Sequence, residues 1–180
     1  MQVNILDIDG TLCPSIFSND RLQNDNDNCL TDEFLHDLLC VKPYAWVEEH
    51  ATRGFFDHHT INVVITGRMR DHQDVTERWF REHTHAILDQ FVSVQWDDSL
   101  ATREESYADY VPRKWRQIDA SYRGFTRVST FNGFPFECRV VEDDEAVLRC
   151  LLHYSSVPRE CLWVVRGGNE PIPYTVGGDE

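Results

Sequence analysis

Residues 3–11, Val3-Asn4-Ile5-Leu6-Asp7-Ile8-Asp9-Gly10-Thr11, read as a short buried strand that runs out into two carboxylates and a turn. Val3, Ile5, Leu6 and Ile8 give the near-continuous apolar run expected of a strand inside a parallel sheet. The acids lie one residue apart, and Gly10 and Thr11 make a sharp exit at the strand's carboxyl end. In open α/β sheets that edge is where ligands bind. One acid there can attack while its neighbour handles protons, a division of labour that suits phosphoryl transfer. The plainer alternative is an Asp-Gly turn beside an incidental second acid.

Working outward, strands are expected near 3–8, 61–66, 91–96, 137–142 and 161–165, with helical stripes between them. Thr31 reads as an N-cap followed by Asp32 and Glu33, and Phe34, Leu35, Leu38 and Leu39 form the first apolar stripe. Val75, Trp79, Phe80, His83 and Ile87 fall on a second stripe. Lys114 opens a further helix with Trp115 and Ile118 facing inward, and Val147, Leu148, Leu151 and Leu152 mark the last. Such alternation predicts an α/β, Rossmann-like three-layer sandwich around a five-stranded parallel sheet. Asn132-Gly133 is a turn signal, so Gly124–Pro135 is expected as a small hairpin or a partner surface away from the chemistry.

Three further features follow Asp7-Ile8-Asp9-Gly10-Thr11 in order: the strand Ile61-Asn62-Val63-Val64-Ile65 ending in Thr66-Gly67-Arg68, the segment Val111-Pro112-Arg113-Lys114-Trp115, and the run Val140-Val141-Glu142-Asp143-Asp144. Together these resemble the four motifs of the haloacid dehalogenase (HAD) superfamily of phosphatases and phosphotransferases, over roughly residues 3 to 165. The resemblance implies a strand order of 5-4-1-2-3. It also implies a phosphatase domain over 1–166, with a flexible tail over 167–180. Neither cap slot of the family, Leu12–Leu30 or Asp97–Arg113, is long enough for a folded cap. A polar flap from Asn19–Asn28 is the most that is expected.

By the same resemblance Asp7 is the nucleophile, forming an aspartyl-phosphate, and Asp9 is the general acid and base. Thr66 binds a phosphoryl oxygen, and Lys114 neutralises charge and orients Asp7. Lys42 precedes the second motif, which leaves Lys114 as the lysine in the right interval, with Arg113 and Arg116 as rivals. Mg²⁺ is implied at Asp7, the Asp9 carbonyl and the acidic run, with Asp143 as direct ligand and Asp144 in the outer shell. Glu142 and Glu145 read as a solvated acidic turn. Gly10, Gly67 and Arg68 are expected to cradle the substrate phosphate.

Thr66-Gly67-Arg68 also resembles the Ser-Gly-Arg of polynucleotide 3′-phosphatases. With Arg103, Arg113, Tyr107 and Tyr110 nearby, it tilts the expected substrate towards nucleotide or nucleic-acid terminal phosphates. The alternatives are a small-metabolite phosphatase, a phosphotransferase of the same superfamily, and a non-catalytic HAD-like binding module.

Composition bounds these readings. The 180 residues carry 17 basic and 31 acidic side chains, a formal net charge of −14, which opposes broad affinity for polyanions. No apolar stretch reaches transmembrane length and the start has no charged n-region, so a cytoplasmic protein without membrane contact is expected. The six cysteines are scattered without metal-like spacing and are expected as reduced thiols. A monomer is expected, or a weak dimer through 124–136.

Overall fold

The computed structural model describes residues 1–15, 31–51, 53–57, 59–95 and 102–175. The flap expected at Asn19–Asn28 lies outside the described residues, as do 16–30 of the first cap slot and 97–101 of the second.

Six strands form one sheet: β1 (Gln2–Leu6), β2 (Thr60–Thr66), β3 (Gln90–Ser93), β4 (Glu137–Glu142), β5 (Leu162–Val164) and β6 (Ile172–Pro173). Their order is β3-β2-β1-β4-β5-β6. β1 to β5 pair in parallel, and β6 adds to β5 antiparallel. Read from the other edge, the parallel strands follow 5-4-1-2-3. The sheet therefore departs from the five-stranded expectation by one short strand, contributed by the segment read as a tail. Two residues carrying a proline give no period-2 signal, which is why sequence reading passes over β6.

Five α-helices lie among the described residues: α1 (Asp32–Cys40), α2 (Ala45–Ala51), α3 (Gln73–Thr84), α4 (Arg103–Asn132) and α5 (Glu145–Tyr154). Thr31 caps α1 as expected, its hydroxyl accepting from the Phe34 amide at 3.2 Å. Ile87 falls beyond the end of α3 and is exposed, because His85 adopts a left-handed conformation that stops the helix.

The largest departure is α4. Lys114 does not open this helix but sits well inside it. A capping box at Thr102 and Glu105 starts the helix upstream, and Pro112 is absorbed in its interior, where it costs one backbone bond without ending it. Asn132-Gly133 is not a hairpin turn either. Gly133, at φ +69°, closes α4 by donating to the carbonyls of Ser129 and Thr130. The stretch expected as a hairpin is thus mostly helix.

Strand alternation places the core and the site together. Val3 and Ile5 of β1, Val63 and Ile65 of β2 and Val140 of β4 face one side, packed with Ile118 of α4 and Leu148 and Leu151 of α5. Leu6, Ile8, Val64 and Val141 face the other side, against Trp46 of α2 and Trp79 and Phe80 of α3. Continuing the alternation, Asp7 and Glu142 fall on the face that α4 covers. There Tyr110, Lys114 and Ile118, spaced by four, share one helical face.

Candidate active site

The parallel register fixes which acids meet. Leu6 is opposite Val141, and the pairing runs one step further as the Asp7 amide donates to the Val141 carbonyl at 3.1 Å. Asp7 and Glu142 therefore leave adjacent strands side by side, and Lys114 lies between them. Its Nζ is 2.7 Å from Glu142 Oε2 and 3.2 Å from Asp7 Oδ1. The ammonium also lies 5.5 Å from the centre of the Tyr110 ring. Lys114 is 2% exposed and Glu142 1%, so all of this happens out of water.

Asp143 completes the group. Ligand oxygens of Asp7, Glu142 and Asp143 all lie within 4.8 Å of one another, an arrangement that can hold a metal ion. Asp143 is fixed from the β1 turn, where Thr11 Oγ1 donates to its Oδ1 at 2.9 Å. Gly10, at φ +91°, passes directly beneath this carboxylate, and a Cβ there would collide with Asp143 Cγ and Oδ2. Gly10→Ala is therefore expected to displace Asp143 and to weaken divalent-ion affinity by about tenfold, read by calorimetric titration with Mg²⁺.

One ammonium faces three carboxylates in a buried setting, and burial governs how they titrate. Burial raises Asp7 from 3.8 to about 7, against the pull of Lys114 and with a further push from Asp143 and Asp9. Burial likewise holds Glu142 well above the usual carboxylate range. Lys114 is driven down by its own burial, but Asp7 and Glu142 outweigh this and leave it well above its ordinary value.

The consequence for stability has a definite sign. Between pH 3.8 and about 7 the folded chain keeps a proton on Asp7 that the unfolded chain has lost, so metal-free stability falls as pH rises through that window. Across the whole window the loss is on the order of 4 kcal/mol. Urea unfolding should therefore show the advantage of Asp7→Asn over wild type growing from about pH 4 to about pH 7. A divalent ion held by the carboxylate cluster should shrink that advantage.

Asp9 and Arg68 form a second pair. Arg68 Nε and Nη2 donate to the two Asp9 carboxylate oxygens, each at 2.8 Å, and Nη1 donates to Thr76 Oγ1 at 3.1 Å. Arg68 is 1% exposed. The sequence reading puts it on the substrate phosphate, but its fork is occupied by Asp9 and by α3. Thr66 ends β2 fully buried, its hydroxyl accepting from the Arg68 amide at 3.3 Å. Half-buried Gly67 links the two.

Asp144 stands apart from the carboxylate group. Its side chain caps α5, accepting from the amides of Ala146 and Val147, and also accepts from the Tyr107 hydroxyl at 2.8 Å. Glu142, read from sequence as a solvated turn residue, is instead buried against Lys114, and its Oε1 accepts from the Asp144 amide at 3.1 Å. Strand parity with Cys138 and Val140 is the signal that would have found it. Tyr110 is buried against Lys114, while Tyr107 stays partly exposed at the rim.

Fold and site together define a mostly parallel α/β protein with a lysine-bridged carboxylate cluster at the strand carboxyl ends. No protein-family model matches the chain, and no curated protein matches it. Two solved structures of the Pnkp1/Rnl/Hen1 complex, one described as an RNA repair complex, contain similar chains. The first is 13% identical with a TM-score of 0.46, covering 91% of this chain and 42% of that one. The second is 14% identical with a TM-score of 0.46, covering 91% and 45%. This chain thus spans less than half of the chains it resembles.

Proposed function

We propose that this protein is a Mg²⁺-dependent phosphomonoester hydrolase of the HAD type, acting on the terminal phosphate of a nucleotide or nucleic-acid end. The observation that carries the reading is Lys114 bridging Asp7 and Glu142 at the strand ends, with Asp143 laid over Gly10 beside them. A purely structural acidic turn needs neither a buried lysine nor a glycine that makes room for a carboxylate.

The residues present fit the implied metal. Asp7 Oδ1 is buried and, apart from the Lys114 ammonium 3.2 Å away, has no hydrogen-bond partner among the described residues. Asp143 offers a second hard oxygen, and the Asp9 carbonyl would be a third ligand, with Glu142 adjacent but committed to Lys114 and the Asp144 amide. Oxygen donors of this kind suit Mg²⁺. When bound, the ion would supply the positive charge that three carboxylates and a phosphate require.

The chain's own chemistry then follows. An Asp7 carboxylate oxygen attacks phosphorus in line, an Asp7–phosphate bond forms, and the ester P–O bond breaks. Asp9, released from the Arg68 fork and carrying a proton, gives that proton to the departing oxygen. In the second half Asp9 takes a proton from water as that water attacks phosphorus, releasing phosphate and restoring the Asp7 carboxylate. Lys114 keeps Asp7 oriented and offsets its charge throughout. Both Asp9 oxygens accept from Arg68 here, so Asp9 serves the leaving group by turning its carboxyl out of that fork. Arg68 is accordingly a positioning residue, and Thr66 and the amides near Gly10 and Gly67 remain for the phosphate.

Hydrolysis of an aryl phosphate with and without Mg²⁺ tests the reading. Metal-dependent turnover that disappears in Asp7→Asn supports it. Absence of turnover on aryl, 3′-nucleotide and 5′-nucleotide phosphates alike would overturn it.

A further inference from the structure

Tyr44 stands at the carboxyl edge between two loops that both border the site. Its amide donates to the Leu12 carbonyl at 2.9 Å, tying it to the turn that carries Asp9 and Gly10. Its ring lies against the backbone of Gly168, where φ is +76° and a Cβ would collide with ring atoms Cδ1, Cε1 and Cζ. The strap around Gly168 is itself anchored at both ends. Arg166 binds Glu145 at 2.9 Å, and Glu170 binds His50 at 2.8 Å. The ring is half-buried, and its hydroxyl makes no hydrogen bond among the described residues.

The surroundings of that hydroxyl point to the site. Burial raises its pKa, with further pushes from Cys13, Asp143 and Asp9. The Leu12 carbonyl that holds the Tyr44 amide lies two residues past Gly10, whose backbone abuts the Asp143 carboxylate, so Tyr44 borders the carboxylate cluster. Arg68 and Lys114 are already committed to Asp9 and to the Asp7–Glu142 pair, so Tyr44 offers an uncommitted side-chain donor on a ring that is part packed on the core and part exposed. With a formal charge of −14, the chain also gains from uncharged contacts in holding an anionic substrate.

We infer that Tyr44 is a specificity-determining residue that receives the group esterified to the phosphate, its ring stacking on a planar nucleobase and its hydroxyl donating to a polar oxygen of the same nucleoside. This rests on the phosphomonoesterase reading and names the leaving group it prefers. Stacking on an aromatic platform accepts any base, so the preference is for nucleosides as a class.

The test compares nucleoside 3′-monophosphate with glycerol phosphate, which lacks a planar group, in wild type, Tyr44→Leu, Tyr44→Phe and Gly168→Ala. Tyr44→Leu is expected to raise KM for the nucleotide by about tenfold, the scale of one lost stacking contact, while kcat and all constants for glycerol phosphate hold within about twofold. Tyr44→Phe should raise KM about threefold, the share of one neutral hydrogen bond. Gly168→Ala should reproduce the Tyr44→Leu pattern by displacing the ring, with Tyr44 intact. Equal losses on both substrates, or no change on either, overturn the inference. Calorimetric binding of the nucleotide to Asp7→Asn, with and without Tyr44→Leu, separates this inference from the wider reading. If wild type hydrolyses neither substrate but binding weakens on Tyr44→Leu, the activity reading fails and the Tyr44 assignment stands. If binding is unchanged, the Tyr44 assignment fails whatever the activity.

Discussion

Asp7→Asn is expected to reduce phosphomonoester hydrolysis by on the order of a thousandfold or more, because it removes the attacking oxygen and not merely a contact. The same substitution is expected to leave the fold intact and to make the metal-free protein more stable at neutral pH. Burial raises Asp7 to about 7, so its charge is a cost to the folded chain that an amide does not carry. Loss of activity accompanied by a gain in unfolding free energy would mark Asp7 as a functional group maintained against stability. Loss of both together would instead mean that Asp7 is structural. Steady-state rates and urea unfolding on the same preparation separate these outcomes.

Lys114→Met is expected to have the largest effect on stability. It leaves Asp7 and Glu142 facing one another in the core with their counter-charge gone, and breaking a buried pair in this way costs about 3–5 kcal/mol. Part of that loss will be relieved as one carboxyl takes up a proton, so the variant should be least stable at high pH. The double variant Lys114→Met with Glu142→Gln removes one uncompensated acid and is expected to recover much of the stability while hydrolysis stays lost. If the double variant recovers activity as well, Lys114 serves only to neutralise Glu142. Thermal unfolding of the two variants with aryl phosphate rates makes the distinction.

Much of this arrangement is legible in the sequence, for physical reasons. Buried parallel strands announce themselves as apolar runs, so β1, β2 and β4 are evident, and the acids at their ends come with them. Alternation along a strand is geometric, and it also places Glu142 on the Asp7 face once it is carried past Val140 and Val141. What fails is punctuation. Pro112 reads as a helix boundary because proline usually is one, but the capping box at Thr102 commits the chain to helix ten residues earlier. Asn132-Gly133 reads as a hairpin because the same left-handed glycine serves helix ends and hairpins equally.

The role of Arg68 is legible only in part. Its position after Thr66 puts it at the correct strand end, but nothing in the sequence says which anion its guanidinium meets. Asp9, leaving β1, meets Arg68 just past the end of the neighbouring β2, and the protein's own carboxylate takes the fork that was expected to hold substrate. Tyr44 carries no signal at all. Its importance depends on Gly168 approaching from the far end of the chain, a contact between segments that no local pattern relates.

The most direct test of the proposed chemistry is to trap its covalent step. Asp9→Asn should still be phosphorylated by an aryl phosphate, whose leaving group needs no proton, but should fail to activate water for release. Incubated with Mg²⁺ and quenched in acid, that variant is predicted to carry one phosphoryl group on Asp7, located by peptide mass spectrometry. Turnover by wild type with no adduct on Asp7 in Asp9→Asn, or an adduct on another residue, would contradict the mechanism.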